Sequence, residues 1–112
     1  MSDLKAIESV IQTYADSMNE SDGDKVRKAF HPSAKVTGYL PDGLHEMSTE
    51  EFASFVAAQS PPKETHDPVT LEIVSLEIAG KTAVAQVRDR YLGMSFLDTL
   101  SFLEVDKSWA IY

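Results

Sequence analysis

The sequence predicts an α+β fold in which helices come first and a curled antiparallel sheet follows. Two periodicities within the 112 residues carry this prediction. Apolar residues recur every three or four positions in the first half of the chain, which is helical spacing, and every second position from Val69 onward, which is strand spacing. A chain of this length supports one hydrophobic core, so residues 1–112 are expected to form a single domain.

An apolar stripe predicts the first helix over about residues 3–19. Ser21-Asp22-Gly23 supplies a turn and an N-cap for a shorter second helix. That helix is expected to end as the chain reaches His31-Pro32, because proline disfavours helical backbone in the residue before it. The stripe of the first helix consists of Leu4, Ile7, Ile11, Tyr14 and Met18.

One strand is expected between the second and third helices, over Val36 to Leu40, and Pro41-Asp42-Gly43 closes it. The third helix is expected to start at the capping box formed by Ser48 and Glu51. It should stop at Ser60-Pro61-Pro62, since two consecutive prolines cannot continue a helix. Its apolar face consists of Phe52, Phe55 and Val56.

Short turns at Gly80-Lys81, Gly93-Met94 and Asp106-Lys107 divide the rest of the chain into four antiparallel strands. If each turn contributes two central residues, the pairing register of all four strands is fixed. The result is one continuous apolar face, which a one-residue slip at any turn would break. Its members are Val74, Leu76, Ile78, Ala83, Ala85, Val87, Leu100, Phe102, Trp109 and Ile111.

The opposite face of the predicted sheet carries more large apolar residues than a solvated surface usually does. A homodimer formed through this face is our hypothesis, and scattered surface aliphatic side chains are the alternative. Polar residues interrupt the face at Thr82, Gln86, Arg88, Arg90 and Ser101. Its apolar members are Leu71, Ile73, Val84, Leu92, Leu97, Leu103 and Val105.

Composition argues against several classes of function. Eighteen acidic and ten basic side chains give a net charge of −8, which repels phosphate backbones and anionic lipid heads, so neither a nucleic acid nor a membrane partner is expected. Cysteine is absent, which excludes disulfides, thiolate metal sites and thiol nucleophiles. The sequence shows neither a secretory signal nor an apolar run of about 18 residues, and we expect a cytoplasmic protein.

No histidine pair with metal-ligand spacing, no glycine-rich phosphate loop and no Gly-x-Ser-x-Gly elbow occurs in the sequence. Zinc, nucleotide and hydrolase-triad functions are therefore disfavoured. We expect a protein that uses no cofactor.

Several segments together carry a resemblance that covers essentially the whole chain. They are a long first helix with Tyr14, a short helix that ends in Ala29-Phe30-His31-Pro32, a third helix capped by Ser48, and the motifs Phe96-x-Asp98-x-Leu100-Ser101 and Trp109-x-Ile111. The chain resembles the putative lumazine-binding branch of the nuclear-transport-factor-2-like superfamily, the SnoaL-like cones. The resemblance implies a cystatin-like, cone-shaped α+β barrel with a cavity at its wide end, often in a dimer.

The predicted register places three carboxylates, Glu72, Asp89 and Asp98, directly across from one another on neighbouring strands. Like charges at this distance repel, so a cation lies between them, or they share a proton with a raised pKa, or the level lies in water at the mouth of the cone. A cation would suggest Mg²⁺ or Ca²⁺. A shared proton would make Asp98 and Asp89 candidate catalytic residues for general acid–base chemistry. Alternatively, Asp89 is solvated and paired with Arg88 or Arg90, and backbone donors hold Asp98.

His31 and His66 are further acid–base candidates, because each lies beside a proline in a connection that could approach the mouth. For His31, a bond to a free carbonyl at the helix end is the alternative. Aromatic side chains with a few polar groups are typical of small-molecule pockets, and simple core packing is the alternative for most of them. The expected ligand-binding residues are Tyr14, Met18, Phe30, His31, Phe52, Phe55, Tyr91, Phe96 and Trp109.

Two classes of function fit these expectations. The preferred one is a module that binds a small hydrophobic or aromatic molecule, because no catalytic constellation is complete in the sequence. The other is a cofactor-independent acid–base enzyme of isomerase, dehydratase or cyclase type that uses the pocket carboxylates. A dimeric partner-binding domain, with its cavity filled by its own side chains, is a third class.

Overall fold

The computed structural model of the protein describes residues 2–65 and 67–112. His66, one of the acid–base candidates, lies outside the described residues. None of the described helices has both the length and the apolarity needed to cross a bilayer. In chain order the elements are helices α1 (Asp3–Glu20) and α2 (Gly23–Ala29), strands β1 (Lys35–Leu40) and β2 (Gly43–Ser48), helix α3 (Thr49–Ala57), a short 3-10 turn (Pro62–Glu64), and strands β3 (Thr70–Ala79), β4 (Thr82–Tyr91), β5 (Met94–Val105) and β6 (Ser108–Ile111).

The three predicted helices are confirmed, and side chains cap them as the sequence indicates. Ser21 ends α1 in the left-handed conformation at φ 52°, and the Asp22 carboxylate accepts hydrogen bonds from two backbone N–H groups in the first turn of α2. At α3, the Ser48 hydroxyl accepts from the Glu51 N–H while the Glu51 carboxylate accepts from the Ser48 N–H, a complete capping box. These caps fix where α1 ends and where α2 and α3 begin.

The sequence predicts only one strand between α2 and α3, but the structure has two. Strands β1 and β2 form an antiparallel hairpin in which Lys35 pairs with Ser48 and Leu40 pairs with Gly43. The prediction missed β2 because its apolar residues Leu44 and Met47 stand three positions apart, which is not strand spacing. The hairpin forms a sheet of its own.

The predicted four-stranded antiparallel sheet is confirmed, with the order β3-β4-β5-β6. In the described residues this sheet is not closed, so the closed cone implied by the resemblance is not confirmed. An isolated bridge between Phe30 and Ile111 lies at the β6 edge. The predicted turn at Gly93-Met94 is wrong by one position. Tyr91 pairs with Met94, and Leu92 and Gly93 turn the chain with φ of 52° and 77°. Pairing between β4 and β5 therefore shifts by two residues, which leaves every side chain on its predicted face.

A β-bulge in β3 changes the predicted face of the residues before it. The register between β3 and β4 shifts between Ile73 and Ser75, which leaves Val74 without a pairing partner. As a result Leu71 pairs with Asp89 on the side of the sheet that faces α1, here called the inner face, while Glu72 lies on the opposite, outer face. The predicted single level of three carboxylates is therefore wrong for Glu72.

The hydrophobic core lies between α1 and the inner face of the four-stranded sheet. Every second residue of β4 is buried from Ala83 to Tyr91, and the alanines at 83 and 85 leave room for the helix to pack closely. Four of the five residues in the predicted stripe of α1 are buried, and the fifth, Leu4, is 48 % exposed in the first turn of the helix. The largest buried members of this contact are Ile7, Ile11, Met18, Val87 and Phe102.

Helices α2 and α3 approach closely at Gly23. A Cβ atom added at Gly23 would lie 2.9 Å from the carbonyl oxygen of Ala53, so the Gly23→Ala variant must push the helices apart. We expect it to lower the free energy of unfolding by about 1–3 kcal/mol in urea titrations followed by circular dichroism. Gly38→Ala is the control, because no atom lies within 4 Å of its added Cβ. Equal stability of the two variants would contradict the close packing.

Candidate functional site

Strand alternation brings three polar side chains to the inner face at one end of the sheet. Asp89 and Tyr91 stand two residues apart on β4, and Asp98 on β5 pairs with Val87, one inner-face position away from Asp89. Asp89 is only 3 % exposed and Tyr91 only 6 %, whereas Asp98 is half-buried. Asp89 and Asp98 therefore meet diagonally, and not directly across as the predicted turn required.

Helix α1 contributes a fourth polar group. The Tyr14 hydroxyl donates a hydrogen bond to Asp98 Oδ2 over 3.2 Å. Burial first, and then the nearby charges of Asp98 and Asp89, raise the pKa of Tyr14 well above its ordinary value. At neutral pH Tyr14 is therefore an uncharged donor, and it holds the Asp98 carboxylate in place.

The Asp89 carboxyl keeps a proton that an ordinary aspartate would lose. Burial is the main cause, followed by the hydrogen bond to Asp98 and the charge of Asp98, and together they raise the pKa of Asp89 to about 9. Among the described residues no donor satisfies its Oδ2 atom, which is buried. By keeping its proton, the Asp89 carboxyl avoids the cost of a buried charge. At neutral pH the two aspartates therefore carry one negative charge between them.

Tyr91 adds a second buried oxygen that has no partner among the described residues. Burial raises the pKa of its hydroxyl to about 12, so the group stays neutral. A buried hydroxyl without a hydrogen bond costs about 1–3 kcal/mol, and native proteins contain few of them. The inner face thus holds two oxygens, Asp89 Oδ2 and the Tyr91 hydroxyl, that could bind a polar group from outside the protein. We call Tyr14, Asp89, Tyr91 and Asp98 the inner-face polar cluster.

The cluster has a closed floor and a partly open rim. Tyr14, Asp89 and Tyr91 are buried, while Asp98 and its neighbour Phe96 remain half-exposed. Leu71 of β3, which pairs with Asp89 of β4, is also half-buried. The Asn19 side chain at the end of α1 accepts a hydrogen bond from the Val69 N–H over 3.1 Å and so fixes the entry of β3 beside this rim.

Several of the aromatic residues predicted for the pocket lie in the hydrophobic core. Tyr14, Phe30 and Phe52 pack against one another with ring centroids 5.6–6.4 Å apart, and all three are buried. Met18 is buried in the same core. These side chains fill the interior behind the polar cluster, and only Phe96 stands at the rim.

Three of the predicted ligand-binding residues lie elsewhere. The Trp109 indole N–H donates to Asp3 at the start of α1, about 16 Å along the helix axis from Tyr14. His31 packs its ring on Tyr112 with centroids 5.2 Å apart, and its backbone N–H bonds to the Ile111 carbonyl oxygen. The Phe55 side chain is 39 % exposed on α3. The structure does not bring Trp109, His31 or Phe55 to the polar cluster.

Neither of two depressions on the surface of the described residues is lined by Tyr14, Phe30 or Phe52. One, of about 460 Å³, lies between the α1–α2 connection and α3. The other, of about 370 Å³, lies at the β3–β5 end of the sheet, where Thr70, Glu72, Arg88 and Arg90 line it on the outer side. It also touches Asp89, so it lies at the same sheet level as the polar cluster.

The bulge removes the third ligand that a Mg²⁺ or Ca²⁺ site would need. Glu72 accepts a hydrogen bond from Arg88 over 3.0 Å on the outer face, away from Asp89 and Asp98. Within residues 2–65 and 67–112 no group of three or more acidic, histidine or cysteine side chains could hold a metal ion. The alternative, a solvated Asp89 paired with Arg88 or Arg90, is also wrong, since Asp89 is buried, Arg88 bonds to Glu72 and Arg90 bonds to Asp67.

Sequence reasoning missed Leu71 as a neighbour of the site. A signal was available, because Ile73-Val74 places two apolar residues side by side and interrupts the alternation of β3. The Tyr14–Asp98 hydrogen bond joins residues 84 positions apart and carries no local signal in the sequence.

Comparisons with known proteins agree with this architecture. The model of a family described as putative lumazine-binding matches residues 2–112. A nuclear-transport-factor-2-like protein of unknown function from Silicibacter pomeroyi superposes with a TM-score of 0.86 at 23 % identity, over 96 % of this chain and 88 % of the other. A similar protein of unknown function from Methylobacillus flagellatus gives 0.85 at 25 % identity, over 97 % and 86 % of the two chains.

A domain of unknown function with a cystatin-like fold, from Nostoc punctiforme, superposes with a TM-score of 0.71 at 17 % identity, over 97 % of this chain and 72 % of the other. Comparison with curated proteins finds no match. The structural likenesses place the chain in the nuclear-transport-factor-2-like, cystatin-like fold.

The raised pKa of Asp89 makes the stability of the protein depend on pH. The folded state keeps this proton up to about pH 9, whereas an unfolded aspartate loses it near pH 4, so the free energy of unfolding falls as the pH rises between these values. Asp89→Asn removes that dependence. In urea titrations we expect this variant to be more stable than the natural protein by at least about 1 kcal/mol at pH 8, with a smaller gain at pH 5.

Glu72→Gln is the matched control, because Glu72 is an exposed carboxylate on the outer face of β3, next to Leu71, the residue that pairs with Asp89. It should change stability little and without this pH dependence. If Asp89→Asn destabilised the protein equally at both pH values, the protonated state of Asp89 would be contradicted.

Proposed function

The chain belongs to the putative lumazine-binding family, and on that premise we propose that it is a single domain that binds a small hydrophobic or aromatic molecule at the inner-face polar cluster. The observation that carries the proposal is the pair of buried oxygens, Asp89 Oδ2 and the Tyr91 hydroxyl, that lack partners among the described residues. Because leaving such groups without hydrogen bonds is costly, a ligand that supplies the bonds gains binding energy. The proposed setting is cytoplasmic, which the absence of cysteine supports.

The rim of the cluster supplies the apolar contact that such a ligand needs. Phe96 and Leu71 are both half-buried, and both pair with Asp89, from β5 and β3. A ring placed between them would cover apolar surface while its polar edge reaches the floor. Apolar walls with a few oriented polar groups are the usual composition of small-molecule sites. Tyr14, Phe30 and Phe52 then form the packed support behind the site.

A second function, cofactor-independent acid–base catalysis, is favoured by one observation. Asp89 has a pKa of about 9 while Asp98 beside it accepts a hydrogen bond from Tyr14. A carboxyl that keeps its proton at neutral pH thus lies beside a second carboxyl, and two carboxyls in different environments are the pairing that acid–base chemistry uses. Isomerisation, dehydration or ring closure would each use such a pair. Binding remains the first proposal, because it requires only the unsatisfied groups and no particular reaction.

A homodimer through the outer face of the sheet is part of the proposal. Val84, Leu97 and Val105 are exposed there by 40 %, 58 % and 47 %, and burial against a second copy would remove this apolar surface from water. Two residues of the predicted set do not contribute, because the bulge turns Leu71 and Ile73 to the inner face. The ion pairs of Arg88 and Arg90 border the remaining apolar surface.

Native mass spectrometry of the freshly purified protein tests the binding proposal. We expect each subunit to carry extra mass that is lost on denaturation. Tyr91→Phe should lower the occupied fraction, because the variant lacks the hydroxyl that the ligand satisfies, while Tyr39→Phe, on a side chain that is 80 % exposed, should retain it. Empty subunits that also show no chemical-shift change at Asp89 or Tyr91 when small aromatic compounds are added would contradict the proposal.

Sedimentation velocity tests the dimer. Leu97→Lys places a charge on the outer face, at its most exposed apolar side chain among Val84, Leu97 and Val105, and should convert the dimer to a monomer without changing the circular dichroism spectrum. Leu44→Lys is the matched control, because Leu44 is equally exposed, at 59 %, but lies on the β1–β2 hairpin. A natural protein that sediments as a monomer at about 100 μM would overturn the dimer, since stable interfaces dissociate only far below this concentration.

A further inference from the structure

Among the described residues the inner-face polar cluster contains carboxyl and phenol groups but no cationic side chain. Asp98 of β5 hydrogen-bonds to Asp89, and Tyr14 of α1 interacts electrostatically with Asp89, Asp98 and Tyr91. Among the residues that the structure describes, no lysine, arginine or histidine contributes to the electrostatic surroundings of Asp89 or Tyr14. Tyr14 also packs against two apolar rings, those of Phe30, the residue that follows α2, and Phe52 of α3.

The arginines nearest in sequence lie on the other side of the sheet and are already paired. Arg88 bonds to Glu72 over 3.0 Å, and Arg90 bonds to Asp67 over 3.1 Å. Strand alternation prevents either guanidinium from turning to the inner face without reversing the register of β4. The described part of the chain therefore supplies no counter-ion for the negative charge that Asp89 and Asp98 share. Only the proton on Asp89 lowers the total charge of the pair.

The oxygens of the cluster match the donors of an ammonium group in number. Among the described residues Asp89 Oδ2 and the Tyr91 hydroxyl have no hydrogen-bond partner, and Asp98 bonds to Tyr14 and to the Asp89 carboxyl. When Asp89 gives up its proton, the Asp98 oxygen that bound it is free for a third bond. A protonated primary amine has three N–H donors and no acceptor. Hydrogen bonds between charged partners are about twice as strong as those between neutral ones. A neutral ligand would leave the shared charge uncompensated, and an anion would add to it.

Resting on the function proposed above, we propose that the ligand is a small organic cation, an apolar or aromatic ring that carries a protonated amine. The ammonium binds between Asp89, Asp98 and Tyr91, and the ring lies at the rim against Phe96. On binding, the Asp89 carboxyl releases its proton to solvent, and no bond of the ligand changes. The net charge of −8 on the chain favours the approach of such a cation.

Isothermal titration calorimetry near pH 7.5 tests this ligand class with three probes of similar size. Benzylammonium, benzyl alcohol and phenylacetate carry a positive, a neutral and a negative group on the same ring. We expect benzylammonium to bind at least about tenfold more tightly than benzyl alcohol, and phenylacetate to bind most weakly. In two buffers of different ionisation enthalpy, the heats should show the release of up to about one proton for each benzylammonium bound.

Variants locate the effect. Asp89→Asn should abolish both the proton release and the preference for benzylammonium, while Glu72→Gln on the outer face should retain both. If Asp89→Asn fails to fold, the proton count on the natural protein decides the question, because a cation that binds without proton release overturns the inference.

The outcomes separate this inference from the proposed function. If benzyl alcohol binds as tightly as benzylammonium and shifts the NMR signals of Tyr91, the cluster binds small molecules but the cation inference is wrong. If none of the probes binds and native mass spectrometry shows empty subunits, both proposals are wrong.

Discussion

The packing of α1 across the inner face of the four-stranded sheet is the interaction on which the rest of the molecule depends. One stripe of the helix supplies Ile7 and Ile11 to an apolar core at one end and Tyr14 to a polar cluster at the other. The same strand alternation that buries Val87 therefore buries Asp89 two residues later. Core and candidate site form one continuous surface, so the position of the acid is set by the packing of the helix.

Burying Asp89 is a cost that the fold does not need for its own stability. A carboxyl at this depth must keep its proton, and its Oδ2 atom and the Tyr91 hydroxyl stay without partners among the described residues. An apolar residue of similar volume would remove that cost. Functional sites typically contain buried groups with a strongly shifted pKa beside a partly open rim. We therefore assign binding to this end of the sheet.

The sequence predicted the helices well because their caps and apolar stripes are local signals, as Ser48 and Glu51 show. It predicted both faces of β4, β5 and β6, since a turn placed one position wrong shifts pairing by two residues and leaves each face intact. It failed where structure departs from regular alternation: the bulge at Val74 moved Glu72 out of the carboxylate level. Only some of the predicted aromatic residues lie near the site. No local pattern in the sequence indicates which, because the fold determines that Trp109 lies far from Tyr14.

The central claim is that the inner face holds a protonated aspartic acid at neutral pH. A carbon-detected NMR titration of the side-chain carboxyl groups measures this directly, with the Asp89 resonance assigned by its loss in Asp89→Asn. We expect one aspartate whose carboxyl titrates with a pKa of about 9. If every aspartate resonance titrated below about pH 5, as unperturbed carboxyls do, the claim would be contradicted.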